Sequence, residues 1–168
     1  MKSYIRFVEL KRWLRAYDKG NPLLNSRVIS DIRVDMQNCT SIYALSEDGS
    51  NSAKIILAFA ENRRGVERID YVKIDEDELD KLAFSANKNP SNVSTKIKNV
   101  NNSHYDLKVG QVDKLIQLAE FIYKKTLNIN GLDPGDVIKL FEDEIKSGEL
   151  SMSDLNEDIQ KAIKKYQS

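Results

Sequence analysis

Apolar and polar positions change period several times along this chain, and each change marks an expected element. Residues 4–18 place Phe7, Leu10, Leu14 and Tyr17 at three- and four-residue spacing, with Trp13 beside them. That spacing predicts an amphipathic helix ending near Gly20, ahead of Asn21-Pro22, with its first few residues open to an extended form. Val28, Ile32, Val34 and Met36 are interleaved with Asp31, Arg33 and Asp35, a half-buried strand by the same logic. A further strand is expected from Thr40 to Ser46, then a loop over residues 47–51.

The run from Ser52 to Leu82 is the most orderly part of the sequence. Ile55, Leu57 and Phe59 alternate with Lys54, Ile56, Ala58 and Ala60, and Ile69 and Tyr71 share a parity further on. These read as two strands of a hairpin. A three-residue loop, Arg63 to Gly65, pairs Phe59 with Ile69 and Leu57 with Tyr71. A two-residue turn would put Phe59 opposite Arg68, so the longer loop is the better register. The strand Lys54–Ala60 is expected inside the sheet, which leaves Ile56 and Val72 needing a cover. Asp75 with Glu78 three residues on is a capping box, opening a helix that carries Leu79, Leu82, Ala83 and Ala86 on one side.

Beyond Ala86 the character changes. Asn87 to Tyr105 is Asn-rich and basic, with Lys88, Lys96 and Lys98 and no acidic residue; Val93, Ile97 and Val100 allow a short strand or helical turn. From Gln111 the chain reads as helical. One stripe is Val112, Leu115, Leu118, Ala119 and Ile122. Asp133-Pro134 starts another helix (Val137, Ile138, Phe141, Ile145) that stops at Gly148, and Ser153 opens the last (Leu155, Ile159, Ala162, Ile163, Tyr166). The expected fold is therefore α+β: a four-stranded antiparallel meander over about 27–74, packed on one face with an N-terminal helix and several C-terminal helices. It is read as one domain with an N-terminal part (1–86), a basic connector (87–108) and a helical part (109–168).

Composition fits this picture. The chain has 168 residues, 40% hydrophobic and 31% charged, which suits a soluble domain. No apolar run approaches the roughly 20 residues that span a bilayer, and residues 1–20 lack a signal-peptide core, so a cytoplasmic protein without membrane contact is expected. Net charge is zero but unevenly spread. Seven basic residues face two acids from Met1 to Arg27, and nine acids face five lysines from Asp133 onward.

Candidate chemistry is sparse. His104 is the single histidine and Cys39 the single cysteine, so a multi-histidine metal site, a cysteine zinc site and an internal disulfide are excluded. His104 beside Asp106 reads as an ordinary core or surface histidine, and Cys39 as a small apolar filler. The acids at Asp75–Glu78 suit a helix start without implying a metal. No phosphate-binding glycine loop is present. No catalytic residue and no cofactor is assigned.

What remains are basic candidates for contact with a protein or a nucleic acid: Lys11, Arg12 and Arg15 on the first helix, Arg63 and Arg64 at the expected hairpin tip, and Lys88, Lys96 and Lys98 in the connector. The plainer alternative makes each a solvated charge, with Trp13 in the core. The leading expectation is a small cytosolic, non-enzymatic protein that binds another protein, as an inhibitor or immunity-type accessory does. The alternative is a nucleic-acid-binding protein using the same basic residues; an enzyme built from scattered carboxylates stands third.

Overall fold

The first strand decides the layering. β1 (Ser3–Val8) buries Tyr4 and Val8 on one side and Ile5 and Phe7 on the other. A strand that is apolar on both faces belongs inside a sheet covered twice. In the computed structural model, which describes residues 2–17, 26–32, 39–92 and 95–167, β1 holds that place. It pairs antiparallel with β2 (Cys39–Ala44) and with β3 (Ile69–Asp75). β2 continues to β5 (His104–Lys108), which carries β4 (Ala86–Lys88) at one edge, and β3 carries β6 (Asn130–Leu132) at the other. The six-stranded sheet has the order β4-β5-β2-β1-β3-β6, and every pairing is antiparallel.

Helices cover both faces. On the Tyr4 side, α1 (Leu10–Tyr17) contributes Trp13 and α2 (Ser26–Ile32) contributes Val28 and Ile32. α4 (Glu76–Lys81) adds Leu79 there, and α5 (Val112–Thr126) adds Leu118, Ala119 and Ile122. On the Ile5 side, α3 (Ser52–Ala60) contributes Ile55, Ile56 and Leu57, α6 (Pro134–Lys146) Val137 and Phe141, and α7 (Glu157–Gln167) Ile159 and Ile163. The fold is α+β, with three layers where a single helical layer was expected.

The meander is the main correction. Ser52–Ala60 is a helix, so the pairing of Phe59 with Ile69 and Leu57 with Tyr71 does not exist; Tyr71 instead lies opposite Phe7 of β1. Five of the nine α3 residues are buried, and an apolar run this short has no decisive period. Its alanines, leucine and lysine favour a helix, and a neighbouring sheet buries it from one side and α6 from another. Ile56 is 3% exposed and Val72 1%, in opposite cores, so the chain covers both itself. The expected strand from Val28 begins as α2, where Val28 and Ile32 point inward at helical spacing; its remainder at 33–36, like the helix end near Gly20 and the side chain of Arg15, lies outside the described residues. The first helix starts at Leu10, with residues 3–8 extended.

Terminal signals fared better. Glu78 accepts from the Asp75 backbone N–H at 2.9 Å, and Asp136 closes the corresponding box at Asp133. The helix after Asp75 ends at Lys81, short of the expected Ala86, with Ala83 in a left-handed conformation (φ 53°). Gly148 (φ 77°) stops α6. The last helix begins at Glu157 after a short turn at Met152–Asp154, later than Ser153. The connector holds β4, single turns at Pro90–Asn92 and Val100–Ser103, and leads into β5.

A buried polar network joins the sheet to the first two helices. Arg6, 7% exposed in the middle of β1, donates to the carbonyls of Asp31 (2.9 Å), Ile32 (2.6 Å) and Ser41 (2.8 Å). It thus satisfies the last turn of α2, where a cation also opposes the helix dipole. The Asp31 carboxylate accepts from the Glu9 backbone N–H at 3.1 Å and from the Trp13 indole N–H, fixing the start of α1.

Two outcomes are expected. Asp31→Ala removes the acceptor of the buried Trp13 indole N–H and of the part-buried Glu9 backbone N–H. It should cost about 2–4 kcal/mol, seen as a lower urea midpoint with an unchanged slope; a loss below about 1 kcal/mol would contradict the network. Second, burial and then the neighbouring Glu76 push the Tyr4 phenol up to about 12. Folding therefore favours the neutral phenol, a contribution complete below about pH 10, the unfolded value, and lost as pH rises to about 12. Alkaline unfolding followed by circular dichroism should be less steep over that interval in Tyr4→Phe.

Candidate binding groove

The end of β1 and the loop leaving α3 enclose a groove of about 1120 Å³. Its floor is the buried network itself, Arg6 with Asp31, together with Ser41 and Tyr43 of β2. One wall runs from Phe7 through Glu9 to Lys11, where β1 hands over to α1. The other is Phe59 at the end of α3 and the loop after it, with Asn62, Arg63, Arg64, Val66 and Glu67. Arg68, Asp70 and Pro134 close the far end.

An aromatic stack bridges the two walls. The Phe7 and Phe59 rings lie parallel within 6° at 3.9 Å, and the Arg63 guanidinium sits 4.5 Å from the Phe59 centroid. Since Phe7 occupies one face of Phe59, Arg63 takes the other. Tyr43 and Tyr71 meet Phe7 edge-on at 5.8 and 6.5 Å. Burial pushes the Tyr43 phenol up; Arg6 opposes that shift and Asp106 adds to it.

The loop backbone is fastened from outside. The Asn156 amide donates to the carbonyls of Glu61 (3.1 Å) and Arg63 (3.0 Å), while its oxygen accepts from Ile159 N–H at the start of α7. Gly65, at φ 145°, closes the loop before β3. Arg68 is fully engaged, bonding Asp70 at 2.8 Å and Asp133 at 2.6 Å, and both hydrogen bonds raise its pKa. That pair lies over Gly131, where a Cβ would come within 2.4 Å of the Arg68 guanidinium.

Of the residues singled out from sequence, Lys11, Arg63 and Arg64 meet in this groove. Arg12 is instead paired with Glu9 at 2.5 Å and donates to the Ser30 hydroxyl. Lys96 donates its backbone N–H to Glu61 at the base of the loop without lining the groove. Lys98 faces Glu149 at 4.0 Å, and Lys88 lies on the edge strand β4 opposite Tyr105. α1 packs against α2 and α5, while α6 and α7 belong to the other side of the sheet, so among the described residues the basic first helix does not dock on the C-terminal helices. Arg6, Tyr43 and Phe59 were missed as groove residues. Arg6 did carry a signal, a lone cation inside the apolar run Tyr4–Val8.

His104 is fully buried, its Nδ1 2.6 Å from the Asn89 carbonyl and its Nε2 3.7 Å from Asp106. Asn89 also donates to Asp106 at 2.6 Å, so this group fastens the turn after β4 onto β5. Cys39 begins β2, opposite Lys108. Among the described residues, no group of three or more His, Cys, Asp or Glu side chains could hold a metal ion, and no helix is long and apolar enough to cross a membrane.

No protein-family model matches this chain, and no curated protein or solved structure matches it significantly.

If Asn156 holds the loop, Asn156→Ala should raise amide hydrogen exchange selectively at residues 62–66 while costing about 1 kcal/mol of global stability. Unchanged exchange there would show that the loop is held by other contacts.

Proposed function

We propose that the protein is a cytosolic, non-enzymatic binding module that engages another protein through this groove, in the manner of an inhibitor or immunity-type accessory. The observation that carries this reading is the interleaving of charge and aromatic surface. Five cations line the groove (Arg6, Lys11, Arg63, Arg64, Arg68) and four carboxylates stand among them (Glu9, Asp31, Glu67, Asp70), with Phe7, Tyr43 and Phe59 between. Arginine and aromatic side chains around a partly desolvated centre are what protein interfaces favour. A phosphodiester backbone needs a continuous positive track, which carboxylates at these positions interrupt.

The convergence of Lys11, Arg63 and Arg64 favours nucleic acid as the second reading, since grouped cations contact phosphates. Affinity capture from the source cell, compared between the wild type and a Lys11→Glu/Arg64→Glu variant, separates the two. A protein retained by the wild type and lost with the variant is the expected result. Retardation of DNA or RNA at low salt, falling steeply as salt rises and abolished by the same variant, would replace the first reading with the second.

A further inference from the structure

We infer that Arg63 is a preorganised receptor for a single carboxylate of the partner, and that Glu67 occupies it in the free protein as an internal stand-in; this rests on the groove being a protein-binding surface. The guanidinium lies on Phe59 at 4.5 Å, and Phe59 is itself stacked on Phe7, so the plane of the donor fork is set by two aromatic rings. Its backbone is held by Asn156. An arginine fixed by stacking and by its main chain has little freedom left to lose when an anion arrives, and its planar fork matches a carboxylate in two-point contact.

The present occupant is poorly held. Glu67 reaches one Arg63 nitrogen at 3.5 Å, the outer limit of a hydrogen bond, and its side chain is 76% exposed against 28% for Arg63. Arg68 in the same groove shows what saturation looks like, with two carboxylates at 2.8 and 2.6 Å. Arg63 is thus aligned but underused. Arg64 and Lys11 line the same groove and add positive potential, which draws an acid toward the stack. Glu9 and Glu67 restrict it to one isolated negative charge flanked by apolar residues, rather than a run of them. The occupant is therefore a peptide segment of the partner with one Asp or Glu between apolar side chains, matching the Arg63 fork and the Phe7, Tyr43 and Phe59 rings.

A random peptide display library selected on the full chain provides the probe. The strongest peptide and its Asn or Gln counterpart are then titrated calorimetrically into the wild type, Arg63→Lys and Glu67→Gln, with circular dichroism confirming the fold of each. The amide counterpart and Arg63→Lys should each weaken binding on the order of tenfold, because both lose a two-point charged contact. Glu67→Gln should tighten it a few-fold by removing the competitor. Peptides that bind equally well as amides, or to Arg63→Lys, would overturn the carboxylate receptor and leave the protein-binding reading intact. Selection of no peptide, or binding of a labelled oligonucleotide alone, would overturn both.

Discussion

The structure turns on a buried cation in its central strand. Arg6 reaches from β1 to the final carbonyls of α2 and to β2, and the Asp31 side chain reaches back from α2 to the start of α1. Each side chain satisfies backbone groups of the first two helices. Together these bonds fasten α1 and α2 to the sheet.

The groove follows from this arrangement. Because Arg6 and Asp31 are consumed in holding α1 and α2 to the sheet, the floor is polar but rigid, and the surface above it is shaped by what the next elements project. α3 ends by delivering Phe59 onto Phe7, and the loop to β3 folds Arg63 back onto Phe59. Packing and charge thus meet at one place, the junction between the two faces of the sheet. Other basic residues pair elsewhere: Arg12 with Glu9, Lys125 with Glu78, and Lys54 near Glu144 and Glu149.

Local codes were legible and long-range ones were not. The capping box at Asp75, the Asp133-Pro134 helix start, the stop at Gly148 and the stripe of α5 could be read because they rest on residues a few positions apart. β3 and β2 carried enough alternation to be expected as strands. The Ser52–Ala60 run did not carry enough information to choose its form, since a segment buried on most sides is apolar at most positions whether it is helix or strand. β4, β5 and β6 escaped because two have three residues and one lies in a stretch read as connector; their pairing partners, not their composition, make them strands. Within the groove, Lys11, Arg63 and Arg64 could be picked out as cations, but their convergence could not.

The sequence by itself determined the α+β class, the starts of α4, α5 and α6 with the stop of α6, and the uneven distribution of charge. These depend on hydrogen bonds and periodicities within a turn or two of the chain. Only the tertiary structure decided that β1 sits at the centre, that helices cover both faces, and that Arg63 of a loop between α3 and β3 stacks on a ring that itself rests on β1. Those outcomes depend on contacts between segments dozens of residues apart, where burial of both faces of one strand overrides what any single segment prefers.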